Sequence, residues 1–173
     1  MKHLILMLSA LVAVSAGHAQ VAVHEKSPET KYAFTLASPR QTAAILYDAS
    51  DAAVVKRAAE LFAADVEAVT GRRPQVTSAT GETGPAVIVG TVGGSDTAPL
   101  EGAWERYLIQ TVANPLPGIR KALVIAGSDR RGAAYGLFTL SELIGVSPWY
   151  WWADVPVKKH AALHVDAPPT YSQ

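Results

Sequence analysis

The sequence predicts an α+β fold: a mixed sheet of four to five strands with two amphipathic helices on one face. Short apolar runs bounded by turn residues are typical of buried strands, and two longer segments repeat apolar residues every three or four positions, as helices do. A unit of strand, Ser-Asp turn and helix also occurs twice, beginning with ILYDASD at 45–51 and LVIAGSD at 123–129. Each helix has a single apolar stripe, so we expect both to cover one sheet face and the other face to meet solvent or a partner.

The first helix is predicted at 52–70. Its apolar stripe is Val55, Ala58, Phe62, Val66 and Val69. Asp51 precedes the helix at a position where a side chain can cap it, and Gly71 follows it where a left-handed residue commonly ends a helix.

The second helix is predicted at about 130–144. Its stripe is Ala133, Leu137, Leu140 and Ile144, with Asp129 as N-cap and Gly145 at the end. The predicted strands are 42–47, 75–78, 86–89, 107–112 and 122–126, and 160–165 alternates as a strand does. The domain is expected to cover 42–166, between a lead-in at 20–41 and a proline-containing linker at 167–173.

Residues 1–19 have the pattern of a secretory signal peptide. Lys2 is followed by an apolar run at 4–14, which is shorter than the roughly 20 residues that span a bilayer. Small residues then precede a cleavage point after Ala19. The chain contains no cysteine, so we expect neither a lipoprotein anchor nor disulfides, and we predict a periplasmic or secreted protein.

Several functions are disfavoured by composition and spacing. The chain has 15 Lys and Arg against 15 Asp and Glu, without the basic stripe that nucleic-acid binding needs. The glycine-rich segment 90–95 has no following Lys-Ser/Thr and does not form a phosphate loop. His160 and His164 lie on a predicted strand, where they would be roughly 13 Å apart, too far for one metal ion. We therefore expect no metal, no cofactor, no nucleic acid and no membrane span.

Five carboxylates are candidates for catalytic groups: Asp48, Asp51, Asp129, Glu142 and Asp154. Glycoside hydrolysis needs two of them about 5–10 Å apart across the scissile bond. Helix capping accounts for Asp51 and Asp129, and solvent exposure is the simplest role for Glu142. No Ser-His-Asp arrangement is evident, so the residues by themselves predict no catalytic centre.

The segment SPWYWWADVP at 147–156 holds three of the four tryptophans of the chain. If it is extended, Trp149 and Trp151 point to one side while Tyr150 and Trp152 point to the other. A small domain can bury one side, and the other would leave an apolar patch larger than soluble monomers usually expose. A packed core, a sugar platform and a partner surface are all possible, and the alternation favours the partner surface.

Three segments resemble the N-terminal domain of glycoside hydrolase family 115, the xylan α-1,2-(4-O-methyl)-glucuronidases. They are ILYDASDAAVVKRAAELFAADVEAVTG, WERYLIQTVANPLPGIRKAL and ALVIAGSDRRGAAYGLFTLSELIGVSPWYWWADVPVKKHAALHV. The resemblance covers about 41–166, and its most specific block is 127–156. A weaker likeness, carried by the YG-x-x-x-L helix after a strand, is to the auxiliary domain before the barrel in family 20 hexosaminidases.

The family resemblance implies a following (β/α)8 barrel that holds the catalytic carboxylates and the uronic-acid pocket. No catalytic residue is therefore assigned to these 173 residues, and we expect the chain to be truncated before the barrel and inactive alone. The implied partners are that barrel and, through the parent enzyme, xylan-derived glucuronosyl saccharides. The stretch 90–103 is shorter than the family leads one to expect.

The residues assigned to interdomain docking or to the rim of the cleft are Trp149, Tyr150, Trp151, Trp152, Asp154, Asp129 and Arg130. Asp129 and Arg130 are included because they place charge at a helix start that is expected beside the aromatic segment. The alternative is a stand-alone carbohydrate-binding or scaffold domain, which would keep its tryptophans on the surface and be retarded by glucuronoxylan in a native gel.

Overall fold

The computed structural model describes residues 20–78, 84–92 and 100–172; the predicted signal peptide and residues 93–95 of the glycine-rich segment lie outside these residues. The α+β prediction is confirmed. In chain order the elements are β1 (Ala22–His24), β2 (Ala33–Ala37), β3 (Ala44–Tyr47), α1 (Ala53–Thr70), β4 (Val76–Thr77), β5 (Ala86–Thr91), β6 (Tyr107–Leu116), β7 (Ile119–Gly127), α2 (Arg130–Leu143), α3 (Tyr150–Ala153), β8 (Leu163–Asp166) and β9 (Thr170–Tyr171).

The main sheet is mixed and has six strands in the order β4-β3-β5-β7-β6-β9. The strands β4, β3, β5 and β7 are parallel, while β6 pairs antiparallel with both β7 and β9. The sheet is wider than predicted because β9 comes from residues 170–171, which the sequence pattern assigned to a linker. Ala167, at the start of that segment, is fully buried.

Both helices pack on one face of this sheet, as predicted. Their stripes share one core with the inward side chains of the central strands, among them Phe62, Leu140, Val87, Leu123 and Ile125. The opposite face has a smaller apolar cluster of Leu46, Ala86, Ile119 and Ala122, against which Ile88 and Val124 remain partly exposed. The side-chain period of two in strands separates these two sets of residues.

A second sheet has three strands in the order β1-β8-β2, and β1 and β2 arise from the predicted lead-in. Its inner side chains, including Phe34, Leu36 and Val165, join the core beneath the helices. The side chain of Lys121 donates to the carbonyl of Ala33 at 2.8 Å and so links the two sheets. Sequence patterns missed this sheet because β8 lies more than 120 positions after the strands that it pairs with.

The helix ends follow the capping signals in part. Asp129 caps α2, and Gly71 and Gly145 have φ angles of 74° and 98° at the predicted ends. The predicted cap at Asp51 is wrong, since the N-cap of α1 is Ala52. The Asp51 carboxylate instead accepts hydrogen bonds from the N–H of Thr91 at 2.8 Å and from its hydroxyl, which ties the start of α1 to the end of β5.

Within the described residues, none of the helices combines the length and the apolar character needed to cross a bilayer.

Candidate functional site

The aromatic turn, residues 149–154, is the first part of the candidate site. It forms one helical turn, whereas the alternation of its side chains was interpreted on an extended segment. The N–H groups of Trp152 and Ala153 donate to the carbonyl of Trp149 at 3.0 and 2.9 Å. Ser147 supports the turn, since its hydroxyl accepts from Trp149 N–H and its carbonyl accepts from Tyr150 N–H. Asp154, with φ 49°, ends it. These local hydrogen bonds replace the strand ladder that an extended segment would need.

The helical turn changes which side chains lie together. Trp149 and Trp152 are three positions apart, so they project from the same side of the turn, and they are 66% and 85% exposed. Tyr150 is half-buried and packs against the main core, while Asp154 is exposed. The side chain of Trp151 lies outside the described part of the molecule.

The aromatic turn lies on the path between the carboxyl ends of α2 and α1. After the turn, the N–H of His160 donates to the carbonyl of Val69 at 3.0 Å, and the side chain of Lys159 donates to the carbonyl of Ala68. Both acceptors belong to the last turn of α1. The segment therefore closes one end of the helix layer, and its two exposed tryptophans are held on an anchored turn.

Asp129 and Arg130 lie at the other end of α2. The fourteen residues of that helix extend about 20 Å, so the structure does not bring this pair beside the aromatic turn. One carboxylate oxygen of Asp129 accepts from the N–H groups of Arg131 and Gly132, both at 2.8 Å, and the other accepts from Glu105 N–H at 2.9 Å. These bonds, that of Gly132 above all, lower the pKa of Asp129. Its observed role is to hold the helix start, and Arg130 is exposed.

The segment before β6 fits tightly on that helix start. A Cβ atom on Gly132 would lie 2.1 Å from the carbonyl oxygen of Arg106, so only glycine allows this approach. Arg131 pairs with Glu105 at 2.5 Å. Trp104, next to this contact, is 76% exposed.

A second exposed feature, which the sequence patterns did not predict, is the outer face of α2, where two aromatic residues lie between two charged ones: Arg131, Tyr135, Phe138 and Glu142. These residues follow one another at spacings of four, three and four, so they lie in one row. Tyr135 and Phe138 are 41% and 42% exposed, and Leu143 beside the row is 37% exposed. The available signal was two aromatic residues outside the apolar stripe of an amphipathic helix.

Burial shifts the pKa of two further side chains, Asp65 and His164. Burial raises the pKa of Asp65, which faces α2, and Ser141 partly opposes that shift. Burial and the neighbouring His24 lower the pKa of His164, whose ring contacts the Thr35 hydroxyl at 3.0 Å.

His160, the other histidine of the predicted pair, binds Glu25 at 2.9 Å. Across 20–78, 84–92 and 100–172, His, Asp and Glu side chains nowhere form a group of three or more that could hold a metal ion.

No protein-family model matches this chain, and no curated protein does. Among solved structures it is similar to a family GH115 4-O-methyl-α-glucuronidase with specificity for decorated arabinogalactans. The TM-score is 0.60 and the sequence identity 30%, over 81% of this chain and 18% of that one. It is also similar to the GH20 β-N-acetylhexosaminidase of Streptomyces coelicolor A3(2), with a TM-score of 0.44 and 21% identity over 87% of this chain and 25% of that one.

The first of these similarities supports an accessory domain related to glycoside hydrolases. This chain spans less than a fifth of the length of the glucuronidase. The resemblance indicated by the sequence is confirmed, because over most of its length this chain is similar in fold and sequence to one part of a family 115 glucuronidase, which is consistent with an N-terminal domain of that family.

Proposed function

We propose that this chain is the N-terminal accessory domain of an exported α-glucuronidase that removes glucuronic acid side groups from plant polysaccharide. The observation that carries the proposal is its 30% identity to part of a GH115 glucuronidase over 81% of the chain. We further propose that the chain is inactive by itself. In support, the carboxylates of Asp51 and Asp129 are both occupied by backbone N–H groups.

The proposed substrate class is defined by the side group. The family resemblance suggests xylan as the polysaccharide, whereas the similar solved enzyme has specificity for decorated arabinogalactans. Glucuronic acid side groups are the feature common to both, so glucuronoxylan and glucuronidated arabinogalactan are the two substrates to compare.

The proposed docking surface is the outer face of α2 together with the base of the aromatic turn, and its occupant is the catalytic barrel of the same polypeptide. Tyr135, Phe138 and Leu143 on this side of α2 are 41%, 42% and 37% exposed. Exposed large apolar side chains that lie together on one helix face are typical of interaction sites. In the similar glucuronidase, the matched part is embedded in a much longer chain.

Activity measurements test the catalytic part of the proposal. The purified 173-residue chain and a polypeptide that continues into a barrel are incubated separately with glucuronoxylan and with glucuronidated arabinogalactan. We expect free glucuronic acid from the longer polypeptide only. Release by the 173-residue chain alone would overturn the accessory role.

Hydrogen exchange tests the docking surface. In the longer polypeptide we expect slower exchange at 130–143 and 149–153 than in the short chain, with the β6–β7 hairpin as an internal control. Equal exchange of α2 in both polypeptides contradicts docking through its outer face.

A second candidate is a stand-alone carbohydrate-binding domain, which is favoured by the exposure of Trp149 and Trp152. The two candidates differ in the size of the native protein. Immunoblotting of the producing cells and medium with antibodies against 20–172 should reveal a polypeptide long enough to include a barrel. A single band of the size of 20–173 supports the stand-alone domain instead.

A further inference from the structure

We propose that Trp149 and Trp152 form a saccharide-stacking subsite that remains open at the rim of the docking surface and binds pyranose rings of a glucuronic-acid-bearing polysaccharide. The ligand class rests on the proposed function, whereas the geometry of the subsite is independent of it.

The helical turn places the side chains of Trp149 and Trp152 on one side of the backbone. Residues three apart in a helical turn have Cβ atoms about 5–6 Å apart and project from one side. The N–H of Trp152 bonds to the carbonyl of Trp149 at 3.0 Å, which fixes this spacing. An extended segment would instead turn these two side chains to opposite sides.

The subsite is held in place before any ligand binds. Tyr150, between the two tryptophans, packs into the main core, and the segment after the turn is tied to the last turn of α1 through His160 and Lys159. A preformed turn loses little conformational entropy when a ligand binds. Two aromatic side chains on an anchored backbone turn therefore suit the weak, repeated contacts made by a polysaccharide.

Exposure and charge favour a saccharide over the barrel as the occupant of this pair. Trp149 and Trp152 are far more exposed than the half-exposed Tyr135 and Phe138, as expected of side chains at the edge of a docking surface. The apolar C–H face of a pyranose covers an indole ring without requiring a matching protein surface. From 149 to 159 the chain carries the exposed Lys158 and Lys159 against the exposed Asp154, two positive charges and one negative, and this excess of one positive charge complements a glucuronosyl carboxylate.

Affinity electrophoresis of the purified chain tests the subsite. Native gels contain glucuronoxylan, glucuronidated arabinogalactan, a neutral glucan or no polymer. We expect retardation by at least one glucuronidated polymer, and each of Trp149→Ala and Trp152→Ala should weaken the apparent affinity about tenfold, the size of a lost aromatic stacking contact.

The matched control is Trp104→Ala. Trp104 is also highly exposed but lies at the amino-terminal end of α2, and its substitution should leave retardation unchanged. Circular dichroism and thermal unfolding of all three variants should match the unaltered chain because the replaced side chains are on the surface.

The outcomes separate this inference from the proposed function. Absence of retardation on every polymer, or an equal loss with Trp104→Ala, overturns the subsite. Equal retardation by the neutral glucan overturns the uronic-acid class of ligand. Glucuronic acid release by the longer polypeptide is measured separately, so the accessory role can survive when the subsite fails.

Discussion

The two strand–turn–helix units of this domain have the same buried pattern and different outer faces. When the two sequences are aligned so that Asp51 matches Asp129, α1 aligns with α2 and Phe62 aligns with Leu140. Both of these residues are fully buried. On the outer face, Arg57 and Glu60 of α1 form an ion pair at 3.4 Å, whereas the aligned positions of α2 hold Tyr135 and Phe138.

This difference distinguishes the helix positions that pack on the sheet from those that face away from it. Each helix must cover the same sheet face, so the inward positions of both are apolar or small. The outward positions are free of that demand. Those of α1 combine charged residues with the exposed Val54 and Leu61, whereas those of α2 include two exposed aromatic residues, which favours α2 as the partner surface.

The two units also differ at their helix starts, and the largest predicted effect lies there. Gly132 aligns with Val54, which is 42% exposed. We expect Gly132→Ala to destabilise the domain by about 3 kcal/mol or more, because its Cβ would clash with the Arg106 backbone. Val54→Ala should change the free energy of unfolding by less than about 0.5 kcal/mol. Urea unfolding of both variants measures this, and similar values for the two would refute the proposed close contact.

The carboxylate that caps α2 provides the next test. Asp129→Ala removes the cap of α2 and should cost about 1–2 kcal/mol at neutral pH. The folded-state pKa of Asp129 is lowered, so this stabilisation is complete above the ordinary value of 3.8 and is lost as the pH falls through the folded value. Unfolding curves from pH 7 to pH 2 should show the stability difference between the two proteins narrowing only below about pH 4. A difference that is independent of pH would contradict the role of the ionised carboxylate.

Exchanging the outer faces tests the comparison directly. Tyr135→Arg with Phe138→Glu gives α2 the ion pair of α1, and we expect its stability to change by less than about 1 kcal/mol because both positions are half-exposed. Self-association of the isolated chain, measured by sedimentation velocity at increasing concentration, should decrease.

The reciprocal variant, Arg57→Tyr with Glu60→Phe, should increase association. If neither exchange alters association, the aromatic residues of α2 do not form an adhesive surface in the isolated chain.

The smallest effect is expected at the α1 ion pair itself. The side chain of Arg57 is 71% exposed and that of Glu60 is 36% exposed, so Arg57→Ala should change the free energy of unfolding by about 0.5 kcal/mol or less. The change should diminish further in 1 M salt, where exposed charges are screened. A loss above about 1 kcal/mol would show that the outer face of α1 contributes more to stability than solvent-exposed charge pairs usually do.

Much of the helix layer could be predicted because its signals are local. The stripe from Val55 to Val69 extends over most of α1, and Gly71 and Asp129 act within a few positions of the helix ends that they terminate or cap. Asp51 shows the limit of such signals. It has the sequence context of a cap, but its carboxylate is used by Thr91, forty positions away in the chain.

The candidate site was less predictable than the fold. The aromatic run at 149–152 has no periodicity that distinguishes one helical turn from a strand, so the common side of Trp149 and Trp152 did not follow from the pattern. The separation of Asp129 and Arg130 from this turn depends on the full length of α2, and the outer face of that helix was recognisable only from two aromatic residues outside its stripe.

By itself the sequence determined the two amphipathic helices, the central strands, the cap and end of α2, and the likeness to a family 115 domain, because these depend on neighbouring residues or on a long shared segment. Tertiary structure alone decided that β1 and β2 pair with β8, that residues 170–171 extend the main sheet, and that Asp51 binds β5. The physical reason is that strand pairing and side-chain hydrogen bonds between distant residues depend on how the whole chain packs. The local sequence pattern of a strand or side chain does not identify its distant partner.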